Sequence, residues 1–233
     1  MPRVSVICIA LSPREFEPLQ RKLAAQTWHD FEFVGEVGGT IPEAWNRAIA
    51  RAQGDILVFT ETDAVPVYNT WLEELVASVL DDKTIVKGLE ITGSTLDLAN
   101  LACYRTAFTN ASFDEEFRWA EDTELFCQWK TQGFRFIEIP RAPVIHPRKI
   151  ANKRMIRRAF RYGVYNARLA HRYSDPVQLG EIGMQVRLIL MGVLNLLGYL
   201  WGWLIYWPEQ QRQARHALAN RRDTDVHRAS PTS

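Results

Sequence analysis

Asp55-Ile56-Leu57-Val58-Phe59-Thr60-Glu61-Thr62-Asp63 is the stretch on which the fold turns. Ile56 to Phe59 is unbroken apolar sequence, as in a strand covered on both faces at the centre of a parallel sheet. Two carboxylates follow it at i and i+2. Working back from here, Val4 to Ala10 reads as a buried strand stopped by Ser12-Pro13. Glu15 to Gln26 reads as a helix, with Phe16, Leu19 and Leu23 three and four apart. Phe31 to Val34 reads as a second strand, Gly38-Gly39 as a turn, and Ile41 to Ala52 as a second helix. That helix has Pro42 near its start and Gly54 just past its end. Strand, helix, strand, helix, strand in this order implies an α/β fold with a mostly parallel sheet flanked by helices. Ligands of such sheets sit beyond the carboxyl ends of the strands, which is where Glu61 and Asp63 fall.

Working forward, Trp71 to Leu80 reads as a helix and Ile85 to Ile91 as a strand. Glu121 to Thr131 reads as a helix closed by Gly133, and Phe134 to Ile139 as a strand ended by Pro140. Val144-Ile145-His146 is a short apolar run that ends in a histidine. Three places carry candidate chemistry. Glu61 and Asp63, on a turn after a buried strand, suit a hard divalent cation, Mg2+ or Mn2+, that would neutralise a diphosphate. Glu121 and Asp122 open a helix, whose positive end favours an ionised carboxylate, and such an Asp suits a general base. His146 supplies an imidazole that would complete a carboxylate metal site. Each alone has a plain alternative: a solvated acidic loop, compensation of a helix dipole, a structural histidine.

In order and spacing these pieces resemble the family 2 glycosyltransferases of GT-A fold over about residues 4 to 150. The likeness rests on Val4-Ser5-Val6-Ile7, on Gln26-Thr27-Trp28-His29-Asp30-Phe31-Glu32, and on Glu43-Ala44-Trp45-Asn46-Arg47-Ala48 followed by Glu61-Thr62-Asp63, which looks like the D-x-D motif. It continues through Phe113-Asp114-Glu115-Glu116-Phe117, Glu121-Asp122-Thr123-Glu124-Leu125 and Ile139-Pro140-Arg141-Ala142-Pro143-Val144-Ile145-His146. The resemblance implies a nucleotide-sugar donor, with Glu61 and Asp63 holding metal and diphosphate and His146 as a further ligand. It implies Asp122 as base toward the acceptor hydroxyl, Glu121 placing the acceptor, and direct displacement with inversion. Asn46 falls in the donor-side helix. The family's Asp-Asp-Gly-Ser after the second strand is missing, and Glu36 is the residue that would stand in for its nucleotide-reading Asp.

Of the 233 residues, 47% are apolar and 24% charged, so whole-chain disorder is excluded. Lys+Arg at 28 against Asp+Glu at 27 argues against a wholesale nucleic-acid binder. The balance conceals asymmetry. From Ile139 to Ser174 there is no acid, but there are ten Lys and Arg residues; Leu188 to Trp207 is then an uncharged run of 20. Twenty helical residues span about 30 Å, a bilayer core, and Tyr199, Trp201, Trp203, Tyr206 and Trp207 crowd one end like an interfacial belt. The expected organisation is a GT-A-like catalytic domain (1–148), a basic membrane-proximal helical segment (149–180), a membrane-inserted helix (181–208) and a basic tail (209–233). By the positive-inside tendency the catalytic domain faces the cytoplasm. Cys8, Cys103 and Cys127 are odd in number and far apart, which suits reduced buried thiols rather than disulfides.

The resulting expectation is a membrane-associated, metal-dependent inverting glycosyltransferase acting on a lipid-linked or membrane-proximal acceptor, with no nucleic-acid partner and a homo-oligomer left open. Two alternatives accompany it: direct transfer onto a polyprenyl phosphate, where no base is needed, and a catalytically silent scaffold subunit of a membrane complex.

Overall fold

The computed structural model describes residues 3–91, 98–146, 153–173, 193 and 195–206. The chain divides into two compact units, Met1–Ile150 and Ala151–Ser233. In the first, β1 (Val4–Ala10), β2 (Phe31–Val37) and β3 (Ile56–Glu61) run parallel. They are joined by α1 (Glu17–Ala24) and α2 (Ile41–Arg51). Alternation along the strands sends side chains to opposite faces. Val4, Val6, Cys8, Ile56 and Val58 meet Leu19, Leu23, Trp71 and Leu75 on one side. Ile7, Leu57 and Phe59 meet Trp45, Ala48, Phe113 and Trp129 on the other. Both faces are covered, which is why β3 is apolar without a break. The backbone N–H of Thr40 donates to Glu43 at 2.7 Å and fixes the start of α2.

The second half of the sheet is less regular. After β4 (Val65–Pro66) and α3 (Trp71–Ser78) come β5 (Thr84–Glu90), β6 (Asn100–Tyr104), α4 (Glu121–Thr131) and β7 (Arg135–Ile145). The order across the sheet is β2-β1-β3-β6-β5-β7-β4. β5 and β7 point the same way as the first three strands, while β6 and β4 run against them. The sequence reading did not contain β6, whose Asn100-Leu101-Ala102-Cys103-Tyr104 is short and weak in β-branched residues. β4 is only two residues long.

One expected boundary is corrected. β7 does not end at Pro140 but runs on to Ile145. Gly88 of β5 faces Ile139, yet two residues further on Glu90 faces Val144, five further along β7. Pro140 and Pro143 lie in the surplus, where the ladder is interrupted and a missing N–H costs little. Gly88 sits at this break because a Cβ there would collide with the Asn100 amide and the Ala142 carbonyl. Asn100 is fully buried; it donates to Ala142 O at 2.8 Å and accepts from Trp71 Nε1 at 2.8 Å.

In the second unit, α5 (Lys153–Arg172) is a 20-residue helix and residues 195–206 are helical. Gly163 abuts the backbone at Asn195 and Tyr199, Gly198 abuts Phe160, and Gly202 abuts Val164 and Ala167. The small residues let the two helices approach closely. Among the described residues no helix is long and apolar enough to cross a membrane. Much of the expected membrane helix (181–192, 194, 207 and 208) and all of the expected tail (209–233) lie outside the described residues.

Candidate functional site

Three strands end together. Glu61 closes β3, Glu90 closes β5, and His146 follows the last residue of β7. β4 pairs Val65 with Ile145 and Pro66 with Val144, so the chain two residues past Asp63 is clipped to the chain one residue before His146. That clip explains how residues 83 positions apart come to face each other. His146 Nε2 lies 3.4 Å from Glu61 Oε2 and 3.4 Å from Asp63 Oδ1. The three ligand atoms are all within 4.8 Å of one another. The donor set, two carboxylates and an imidazole, suits a hard to borderline divalent ion. Separations of 3.4 Å are somewhat longer than the edges, about 2.8–3.0 Å, of an octahedron built on bonds of about 2.0–2.1 Å, so the three side chains would draw slightly inward around an ion. The group fits Mg2+ or Mn2+.

The electrostatics agree. Glu61, Asp63 and Glu90 face the His146 imidazole at 3.3–3.4 Å, Lys87 pairs with Glu90 at 2.8 Å, and Asp122 is close enough to feel the charges of Glu61 and Lys87. Hydrogen bonds with Glu61 and then Glu90 outweigh partial burial and hold the His146 imidazole up to about 10 in the metal-free protein. Beneath the site the Cys8 thiol is pushed well up, first by burial and then by the charges of Glu61 and Asp63. Cys8, Cys103 and Cys127 are all free and buried, as expected.

Asp122 is the second residue of α4. Burial raises its pKa; the Thr123 N–H, 2.7 Å from Oδ1, opposes this, and the negative charge of Glu61 adds to it. The same helix start carries Glu121, one residue earlier. Ala120, just before it, has φ 59° and ψ 31°, and is the one non-glycine residue in the left-handed region among those described. Such a conformation costs about 1–2 kcal/mol and clusters at functional sites.

The other two sequence candidates are engaged within the protein. Glu36, near the end of β2, pairs with Arg47 at 3.1 Å and Arg51 at 2.7 Å. Burial works against its ionisation, but the Arg51 and Arg47 hydrogen bonds prevail and hold the carboxyl below its usual range. Asn46 Nδ2 donates to Phe113 O at 2.9 Å and its Oδ1 accepts from Phe113 N–H at 3.0 Å. Asn46 thus pins the segment before α4 to α2. Sequence reasoning missed Lys87 and Glu90. Residues three apart on a regular strand face opposite sides, yet Lys87 Nζ meets Glu90 Oε1 at 2.8 Å, across the break in register that follows Gly88. The only signal in sequence was a pair of opposite charges inside an otherwise apolar strand.

The site is acidic with one imidazole and lies at the carboxyl ends of a mostly parallel α/β sheet. No protein-family model matches the sequence, and no curated protein matches it. Solved structures do match in fold. The mannosyltransferase PcManGT from Pyrobaculum calidifontis, solved with GDP-Man and Mn2+, superposes with a TM-score of 0.62 at 17% identity, over 99% of this chain and 76% of that one. S. aureus TarS gives a TM-score of 0.51 at 14% identity, over 70% of this chain and 39% of TarS. M. tuberculosis glucosyl-3-phosphoglycerate synthase gives 0.50 at 13% identity, over 66% and 74%. The fold is therefore shared with glycosyltransferases.

Proposed function

We propose that this protein is a metal-dependent inverting glycosyltransferase that moves a sugar from a nucleotide-diphosphate donor to a lipid-linked or membrane-proximal acceptor. The observation that carries the reading is the convergence of Glu61, Asp63 and His146 at three strand ends, in a fold shared with a mannosyltransferase solved with GDP-Man and Mn2+. Glu61, Asp63 and His146 would hold Mg2+ or Mn2+, whose charge neutralises the donor diphosphate and stabilises it as a leaving group. Asp122 takes the proton of the acceptor hydroxyl; its raised pKa brings it nearer the operating pH, where a general base is most effective. Glu121 helps place the acceptor. Glu36 and Asn46 line the donor side, where Glu36 is oriented by Arg47 and Arg51. One displacement by the acceptor oxygen inverts the anomeric centre.

Two features of the second unit support the membrane part. Leu196, Leu197, Leu200, Trp201, Leu204 and Ile205 are each at least half exposed along the helical residues 195–206. α5 has no acidic residue along its 20 positions and carries Lys153, Arg154, Arg157, Arg158, Arg161, Arg168 and Arg172, suited to anionic headgroups. Tethering to a bilayer raises the effective concentration of a lipid acceptor, and the cytoplasmic face is the side that the basic segments favour.

The test is a transfer assay with a panel of labelled UDP-, GDP- and dTDP-sugars, with and without Mn2+, on membranes and on lipid extracts. Metal-dependent label entering the organic phase, with inverted anomeric configuration by NMR, is expected. Label appearing only in water-soluble product would overturn the lipid acceptor, and retention of configuration would overturn the mechanism. A second reading, the silent scaffold, is favoured by one observation: Glu36 and Asn46 are already occupied by Arg47, Arg51 and the Phe113 backbone. It predicts no transfer with any donor.

A further inference from the structure

Glu90 and Lys87 belong to no motif and to no role assigned above. The Glu90 side chain is only 2% exposed and that of Lys87 12%. A charge so deeply placed is held for a reason, because an unpaired one would be costly. Glu90 uses its two oxygens in two directions. Oε1 forms an ion pair with Lys87 Nζ at 2.8 Å, and Oε2 lies 3.3 Å from His146 Nδ1. The other imidazole nitrogen, Nε2, faces Glu61 and Asp63 at 3.4 Å each. Ionised carboxylates only accept hydrogen bonds, so with no ion bound both ring nitrogens donate toward carboxylates, Nδ1 toward Glu90 and Nε2 toward Glu61 and Asp63. An ion held by Glu61 and Asp63 would take the place of the Nε2 proton, while the Glu90 contact keeps the other proton on Nδ1 and leaves the Nε2 lone pair for the ion.

We propose that Glu90, itself fixed by Lys87, is the positioning residue of the metal site: it selects the Nδ1–H tautomer of His146 and locks the ring with Nε2 toward the ion. This rests on the metal-site reading above and deepens it. A carboxylate behind a ligating histidine fixes ring orientation and raises its basicity, and its loss typically costs about 10- to 100-fold in metal affinity. Glu90 reaches this place through the break in register between Gly88 and Glu90. The irregularity of β5 and β7 thus serves the site directly.

The experiment measures free Mn2+ by electron paramagnetic resonance in titrations of the full chain. Glu90→Ala is expected to weaken Mn2+ binding about 10- to 100-fold. Glu90→Gln retains an acceptor oxygen and should recover most of that loss. In a His146→Ala background, Glu90→Ala should cost nothing further, since the two act as one unit. Lys87→Met combined with Glu90→Leu removes both charges without stranding either, and should show the same loss if Glu90→Ala proves poorly folded. Equal Mn2+ affinity in wild type and in these Glu90 variants would overturn the positioning role while leaving the metal site intact. Additive losses in the His146→Ala background would overturn it as well. Absence of Mn2+ binding in the wild type would overturn both this proposal and the function on which it rests.

Discussion

The two halves of the sheet are built differently. β2, β1 and β3 form regular parallel ladders with unbroken register. β6, β5, β7 and β4 mix directions, break register and thread two prolines through one strand. The regular half provides a rigid floor and one strand end, Glu61. The irregular half brings the other partners, Glu90 and His146, from distant sequence to that end. Regularity supplies stability here, and departures from it supply chemistry.

Four predictions probe this division, from the largest effect to the smallest. Asp122→Asn should lower turnover with a hydroxyl acceptor by about 10²- to 10⁴-fold while Mn2+-dependent donor binding is retained; full activity would indicate an acceptor that is already ionised, such as a polyprenyl phosphate. Asn100→Ala strands the Trp71 indole N–H and the Ala142 carbonyl, both buried, at about 1–3 kcal/mol each. Asn46→Ala, in the regular half, removes bonds at a partly exposed site and should cost about 1 kcal/mol; urea unfolding of the two variants compares them, and equal losses would deny the irregular half its special dependence on internal bracing.

The third prediction concerns pH, where the halves differ in sign. His146 is held up to about 10 against 6.5 for the free group. Its contribution to the metal-free protein is fully present below pH 6.5 and is lost as pH rises toward 10. Glu36 is held below its usual range, so its contribution is present at neutral pH and is lost as pH falls through its folded pKa. Stability curves against pH for His146→Gln and Glu36→Gln should flatten at opposite ends. The smallest effect is the neutral-pH cost of Glu36→Gln. Its partners are largely exposed, and less than about 1 kcal/mol is expected by denaturant titration.

The same contrast explains what could be read from sequence. β1, β3, α2 and α4 were legible because buried parallel strands and capped amphipathic helices impose a local pattern. Glu61, Asp63, Asp122 and His146 were legible as candidates because each stands at the end of such an element. That the first two and His146 meet is a tertiary fact, carried by the β4–β7 clip, and two-residue strands leave no periodicity to find. β6 was hidden by its alanine and asparagine. Glu90 was hidden because its partner Lys87 sits at a spacing that a regular strand would separate. Glu36 and Asn46 were picked by position in a resemblance, and their engagement with Arg47, Arg51 and Phe113 depends on side-chain reach that position does not encode.

The central claim is that Glu61, Asp63 and His146 form one metal site that holds a nucleotide diphosphate. The most direct measurement is calorimetric titration of the full chain with UDP, GDP and dTDP nucleotides, with and without Mn2+, in wild type and in Asp63→Ala. The account predicts binding of one nucleotide class that requires Mn2+ and disappears in Asp63→Ala, with the folded state preserved by circular dichroism. Binding that is indifferent to Mn2+ and to Asp63→Ala, or no binding by the folded wild type, would contradict it.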